Sequence, residues 1–199
     1  QVMDQIKYRA KSGFSPSALT LYMRNPIDFY TRYVLGVGDT EEVEETVAYN
    51  TLGTVVHDTL EQLYTPYIGE LLNANIIKVM TTKADKQVAL EFNNTYSKSS
   101  LDKGMNLLIF EVAKRYVHNF LKLEKKRLDN GEDIQILKLE EDNNVPITIT
   151  GIDFPVNLRG KVDRVEKTNG ITRIIDYKTG NVDLAKVTVK SWDDLNTDY

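Results

Sequence analysis

Two hydrophobic periods divide the chain. Up to about residue 131 the apolar positions recur at helical spacing, and beyond it they alternate as strands do. In "FSPSALTLYMRNPIDFYTRYVLG", Ser15 is suited to cap a helix and Pro16 to open it, with Leu19, Tyr22 and Met23 on one face. Asn25 precedes a proline, which pushes it out of the helical region and ends that helix. A second short helix is predicted from Pro26 to about Leu35, stopping at Gly36. "TLGTVVHDTLEQLY" lines Gly53, Val56, Leu60, Leu63 and Tyr64 along one stripe, with His57 inside it. Residues 65–104 read as mixed helix and loop. "MNLLIFEVAKRYVHNFLKLEKKRL" predicts a long helix with Leu108, Val112, Tyr116, Phe120 and Leu123 as its apolar side, closed by Gly131.

"IQILKLEE", "VPITITGIDFPVNLRG" and "GKVDRVEKTNGITRIIDYKTG" then alternate, with turn residues between them. Helices followed by antiparallel strands predict an α/β domain with a small central mixed sheet flanked by helices and a helical N-terminal half. A single domain is expected over 1–199, helical over about 14–131 and sheet-bearing over about 132–190. Asn169-Gly170 is a two-residue hairpin signal. Counting outwards from it pairs Val165 with Ile174, Asp163 with Asp176 and Lys161 with Lys178, all on one face. The other face would set Val162 against Tyr177 and Glu166 against Arg173. A three-residue loop with a bulge would slip this register by one.

Composition narrows the function without deciding it. The 199 residues carry 29 acids against 25 Lys and Arg, a net charge of -4. That argues against a protein that coats nucleic acid non-specifically, though one local patch for it remains open. "DTEEVEE", Asp39 to Glu45, concentrates negative charge in an expected loop. The absence of cysteine excludes disulfides, thiolate zinc sites and iron–sulfur clusters within the chain. No apolar run is long enough to span a membrane and no signal sequence opens the chain, so a cytoplasmic location without membrane partners is expected. Both ends read as cuts in a longer protein.

Directly opposed carboxylates repel, and a sequence keeps them where something neutralises them. Mg²⁺ or Mn²⁺ does so, taking oxygen ligands from one or two carboxylates, waters and a substrate phosphate. Lys178, two residues past Asp176, would point at the same spot, where an ammonium can hold a phosphate oxygen or act on an attacking water. A solvated strand face with two Asp–Lys ion pairs explains the hairpin equally well.

The residues "GKVDRVE…IIDYKTG" resemble the signature of the PD-(D/E)XK nuclease superfamily, in its RecB-like branch. "LGTVVHDTLE" is similar to that branch's upstream helix, and the "FSPSALTLYMRNPIDFYTRYVLG" stretch to its N-terminal element, as at the nuclease end of AddB-type helicase–nuclease subunits. Three motifs in order, spanning about Phe14 to Gly180, are far more specific than one. The resemblance implies a restriction-endonuclease-like core and a metal-dependent DNA nuclease. That would be an exonuclease module in repair or recombination, with DNA and a helicase domain or subunit as partners. Asp163, Asp176 and Lys178 would be catalytic. The metal would be held by His57, Asp163, Asp176 and the backbone carbonyl of Tyr177, with Mg²⁺ or Mn²⁺ as cofactor.

Further candidates are weaker. Glu61 lies one turn beyond His57, Glu140 sits where related sequences often have a glutamate, and Lys161 flanks the first aspartate. Arg24, Arg32, Tyr33 and Arg164 could contact DNA, with Tyr30 among the same cations and aromatics. His118 reads as a surface residue. Asn25 stands where iron–sulfur members carry a cysteine, so no cluster is expected. The family's downstream helix with its glutamine and tyrosine has no match before Tyr199. Two rival functions stay open: a catalytically inactive DNA-binding or scaffolding module of the same fold, and a metal hydrolase of small phosphoesters.

Overall fold

The structure, a computed structural model, describes residues 2–37, 49–95, 104–180, 182, 183 and 191. The acidic stretch Asp39 to Glu45 therefore lies outside the described residues. Helix α1 (Val2–Ser12) precedes the expected helices α2 (Pro16–Arg24) and α3 (Pro26–Phe29), the last continuing as a π-helical turn over Tyr30–Val34. Ser15 caps α2 as predicted, its hydroxyl accepting from the Ala18 N–H at 3.2 Å. Asn25 ends α2 with extended backbone and caps α3, its side-chain oxygen accepting from the Ile27 N–H at 3.1 Å. Helix α1 extends the helical half beyond its expected start at 14. The chain after it joins the sheet through a parallel bridge, Phe14 to Leu158.

Three longer helices build the core: α4 (Tyr49–Tyr64), α5 (Ala74–Thr95) and α6 (Gly104–Asp129). Much of the region that showed no clear period is α5, whose buried Ile77, Met80, Ala84, Val88 and Phe92 make one stripe. That stripe is faint in sequence because one of its places is alanine and Leu90, off the stripe, is exposed. The apolar side expected for α6 is displaced by about one residue. Ala113, Val117, Leu121 and Glu124 are buried, whereas Leu108 and Leu123 are more than half exposed. A glutamate inside the buried stripe hides its true direction from a count of apolar residues.

Strands β1 (Ile134–Ile147), β2 (Val156–Thr168) and β3 (Ile171–Ile175) form an antiparallel sheet in that order. Among the described residues the Phe14 bridge supplies its parallel part. Strand β1 runs unbroken through residues assigned above to two strands, and the chain turns over 148–155. The hairpin forms as counted. Asn169 and Gly170 both take positive φ (49° and 85°), as a type I′ turn requires, and Val165 pairs with Ile174. Its ladder ends at Arg164 and Ile175, so Asp163 and Asp176 are not ladder partners. Helices α4 and α6 pack against the sheet through Leu60, Tyr64, Val117, Leu121, Ile134 and Ile136. No helix among the described residues is long and apolar enough to cross a membrane.

Candidate metal centre

The opposed carboxylates exist, on the other side of β2 from the one expected. Leu139 pairs with Arg164 and Glu141 with Val162, which sets Glu140 across from Asp163. A register shift between Ile136 and Lys138 fixes this alignment. Glu140 has φ of +47°, an uncommon left-handed conformation for a residue with a side chain. Such backbone persists where its surroundings hold it, and it collects at functional sites. Glu140 Oε2 pairs with Lys161 Nζ at 2.7 Å, while its Oε1 is buried without a hydrogen-bond partner.

Helix α4 delivers His57 to the same point. Its Nε2 lies 2.8 Å from the Tyr177 carbonyl oxygen, so that nitrogen carries the proton and donates. Nδ1 lies 3.5 Å from Asp163 Oδ2. Unless Nδ1 is protonated, its lone pair faces a carboxylate, and a cation between the two removes that conflict. Tyr177 serves both groups through its backbone, because its N–H also donates to Asp163 Oδ2 at 2.6 Å. Its ring is buried, edge-on to His57 at 5.6 Å and to Phe120 at 5.0 Å. Burial pushes the Tyr177 hydroxyl up to about 12, against the opposing pull of the Arg164 charge.

Ligand atoms of His57, Glu140 and Asp163 all lie within 4.8 Å of one another. One imidazole and two carboxylates suit a divalent cation, and the orphaned Glu140 oxygen has no other use for its lone pairs. The residues fit the metal that the sequence motifs imply. Glu140, ranked above as secondary, belongs to this group. Asp176 stands outside it, exposed and paired with Lys178 at 2.6 Å. Both instead line an adjoining cleft, together with the Tyr177 ring and Phe120. Glu61 and its neighbour Asp58 are pushed up from ordinary carboxylate values, first by burial, then by Glu140 for Glu61 and Glu91 for Asp58. Lys161 is raised by its hydrogen bond to Glu140, against a smaller burial effect. The flank of the centre is therefore crowded with negative charge.

Two expectations for β2 are corrected. Arg164 does not reach DNA: it is fully buried, its NH2 group 2.8 Å from Glu124 Oε2 and paired also with Glu166. Glu166 pairs with Arg173 in the ladder as counted, but not as a surface ion pair. It is fully buried and takes Arg127 at 2.7 Å and the Thr168 hydroxyl at 2.8 Å. Arg127 bridges onward to Glu124 at 2.8 Å. Burial alone would raise the Glu166 carboxyl, yet the Arg127 hydrogen bond and the Arg164 charge hold it below its usual value. A buried arginine with two carboxylate partners reads in sequence like any surface Arg and Glu, and nothing short of the fold distinguishes them.

The remaining DNA candidates lie in the N-terminal element. Arg24, Tyr30 and Arg32 are exposed, and Tyr33 stacks on Phe29 at 5.3 Å with Arg9 beside its ring. His118 is a surface residue as expected, bonded to Asp85 at 2.7 Å.

The family model of the PD-(D/E)XK nuclease superfamily matches residues 13–195. An uncharacterised protein of Rickettsia conorii is 26% identical over 176 residues, which cover 86% of this chain and 20% of that protein. An ATP-dependent helicase/deoxyribonuclease subunit of Carboxydothermus hydrogenoformans is 24% identical over 187 residues, 86% of this chain and 16% of that protein. Its Streptococcus pneumoniae counterpart is 25% identical over 187 residues. The chain thus spans about a fifth or less of the length of these relatives.

Proposed function

The chain belongs to the PD-(D/E)XK nuclease superfamily, and from that premise we propose that it hydrolyses phosphodiester bonds of DNA. The observation that carries the proposal is the convergence of His57, Glu140 and Asp163 on one point, with two carboxylates opposed across β1 and β2. These three side chains would hold a divalent cation, which when bound acts as a Lewis acid on the phosphate and lowers the pKa of a water. Mn²⁺ suits a set containing an imidazole better than Mg²⁺, which favours oxygen ligands throughout.

The chain's own groups have separable tasks. Tyr177 orients the centre from its backbone, fixing the Asp163 carboxylate with its N–H and the His57 ring with its carbonyl. Lys178 is exposed at the neighbouring cleft, where its ammonium can leave Asp176 for a phosphate oxygen. Asp176, freed by that exchange, is the further carboxylate available to the reaction. Relatives named as helicase/deoxyribonuclease subunits support a nuclease module that works with a helicase in a larger protein; its proposed role is that of an exonuclease in DNA repair or recombination. The test is digestion of linear and circular DNA with Mn²⁺ and Mg²⁺. Linear DNA is expected to be degraded and closed circles spared, with activity lost in Asp163→Ala and Lys178→Ala. Undiminished cleavage by either variant would overturn the assignment.

A further inference from the structure

Strand β2 carries Arg159, Lys161 and Asp163 on one face, because side chains alternate along a strand. Asp163 is at the metal centre, and at strand rise Arg159 stands about 13 Å from it. Between the strands and the start of α2 lies a groove of about 640 Å³. Asp142, Asn143, Arg159 and Lys161 line its strand side, and Ser15 and Ser17 its helix side. Backbone contacts fix these walls. Phe14 donates to the Asn157 carbonyl at 2.9 Å and accepts from the Arg159 N–H at 3.0 Å. Gly13, with φ of +96°, passes so close that a Cβ there would lie 2.9 Å from that of Arg159. The stem of Arg159 is thereby held while the side chain stays exposed, and no acid among the described residues pairs with it.

Lys161 belongs to both places. It lines the groove, yet its ammonium lies 2.7 Å from Glu140 Oε2, on a side chain that is 55% exposed. Glu140 cannot serve a metal ion and this ammonium together without repulsion between the two cations. An exposed lysine is held to its partner only weakly, so re-aiming it costs little. Turned to the groove, it joins Arg159 and the serine pair. The serine Oγ atoms are 3.0 Å apart and use one O–H between them, which leaves the second to donate. Two cations against the one carboxylate of Asp142, with a hydroxyl donor, suit a phosphate.

We infer that this groove is a phosphate subsite for the DNA strand flanking the cut, which Lys161 completes only when a metal ion has displaced it from Glu140. The inference rests on the nuclease reading and adds a coupling to it. Metal and strand each strengthen binding of the other, because both depend on where one lysine points. Arg159 holds the strand in either state.

Isothermal calorimetry with Mn²⁺ alone tests the first half. Lys161→Met removes the competing cation, so Mn²⁺ should bind about fivefold more tightly, the scale of an exposed ion pair. Arg159→Met should leave Mn²⁺ affinity unchanged. If Lys161 only props the Glu140 side chain, Lys161→Met binds Mn²⁺ more weakly, and the inference is overturned. Fluorescence anisotropy with labelled dT12 tests the second half, in EDTA and in Mn²⁺, on proteins that also carry Lys178→Ala so that the strand stays whole. Arg159→Met should weaken strand binding in both buffers. Lys161→Met should weaken it about fivefold in Mn²⁺ and leave it unchanged in EDTA. A dT12 strand with neutral methylphosphonate linkages should bind all these proteins alike. Equal losses for Lys161→Met in the two buffers, no loss in either, or losses that persist on the neutral strand overturn the inference. Cleavage by the wild type without these differences keeps the nuclease reading and removes the coupling. The differences without any cleavage keep the coupling and remove the catalysis.

Discussion

Asp163 and Arg164 are neighbours on β2, yet they sit in charge clusters of different kinds. Successive side chains of a strand point to opposite faces, so one residue step separates the two. Around Arg164, the Glu124, Glu166 and Arg127 groups close on themselves. Each of the four carboxylate oxygens has an arginine or hydroxyl donor. Two nitrogens of Arg164 find no acceptor, and the Tyr64 ring, 4.7 Å from the guanidinium carbon, faces the cation instead. Around Asp163 the arrangement is left open: acids outnumber bases, one Glu140 oxygen has no donor and the backbone under it is strained. In the cluster that serves structure every carboxylate oxygen is taken up. One that awaits a ligand keeps lone pairs in reserve, and stability is given up to keep them.

The comparison breaks most visibly at Arg164. Arg164→Ala leaves two buried carboxylates under-paired and is expected to destabilise the fold by about 3–5 kcal/mol, read from urea melts. Asp163→Asn should instead keep stability to within about 1 kcal/mol, since it relieves like-charge repulsion while losing one acceptor. Cleavage should still fall by about a hundredfold or more, followed on a linear DNA substrate. If Asp163→Asn unfolds the protein as Arg164→Ala does, the two clusters are of one kind. Glu140→Gly sharpens the contrast. Glycine accepts the left-handed φ without strain, so stability should again hold within about 1 kcal/mol while Mn²⁺ affinity drops.

The clusters should also titrate in opposite senses. Glu166 lies below its ordinary value of 4.5 in the fold, so its contribution is present above that pH and is lost as pH falls through the lowered value. Glu61 lies above 4.5, so its contribution is present at and below that pH and is lost as pH rises through the raised value. Melts of wild type, Glu166→Gln and Glu61→Gln between pH 3 and 7 check this. The first substitution should flatten the acid side of the profile, and the second, a smaller effect at a partly exposed site, the side above pH 4.5.

Local signals made much of this legible in the sequence. The hairpin register follows from Asn169-Gly170, because a two-residue turn leaves no freedom in the count. His57 was legible from its place in a helix motif, and Ser15 and Asn25 from their chemistry as caps. What escaped depends on contacts distant in the chain. Glu140 meets Asp163 only because β1 shifts register near Leu137 and returns over 148–155, and neither is written in strand alternation. Asp163 and Asp176 fail to pair because the ladder stops one step earlier, at Ile175, where the chain turns Tyr177 inward to clamp His57 and Asp163. Arg164 and Glu166 were misplaced for one reason: charge reads as exposure until its buried partners on α6 are known.

Mn²⁺ titration by isothermal calorimetry, comparing wild type with Asp163→Ala and Glu140→Gln, tests the central claim most directly. One Mn²⁺ site in the wild type, abolished by Asp163→Ala and weakened at least tenfold by Glu140→Gln, is the predicted result. Equal Mn²⁺ affinity in all three proteins would contradict a metal centre built on the opposed carboxylates of β1 and β2.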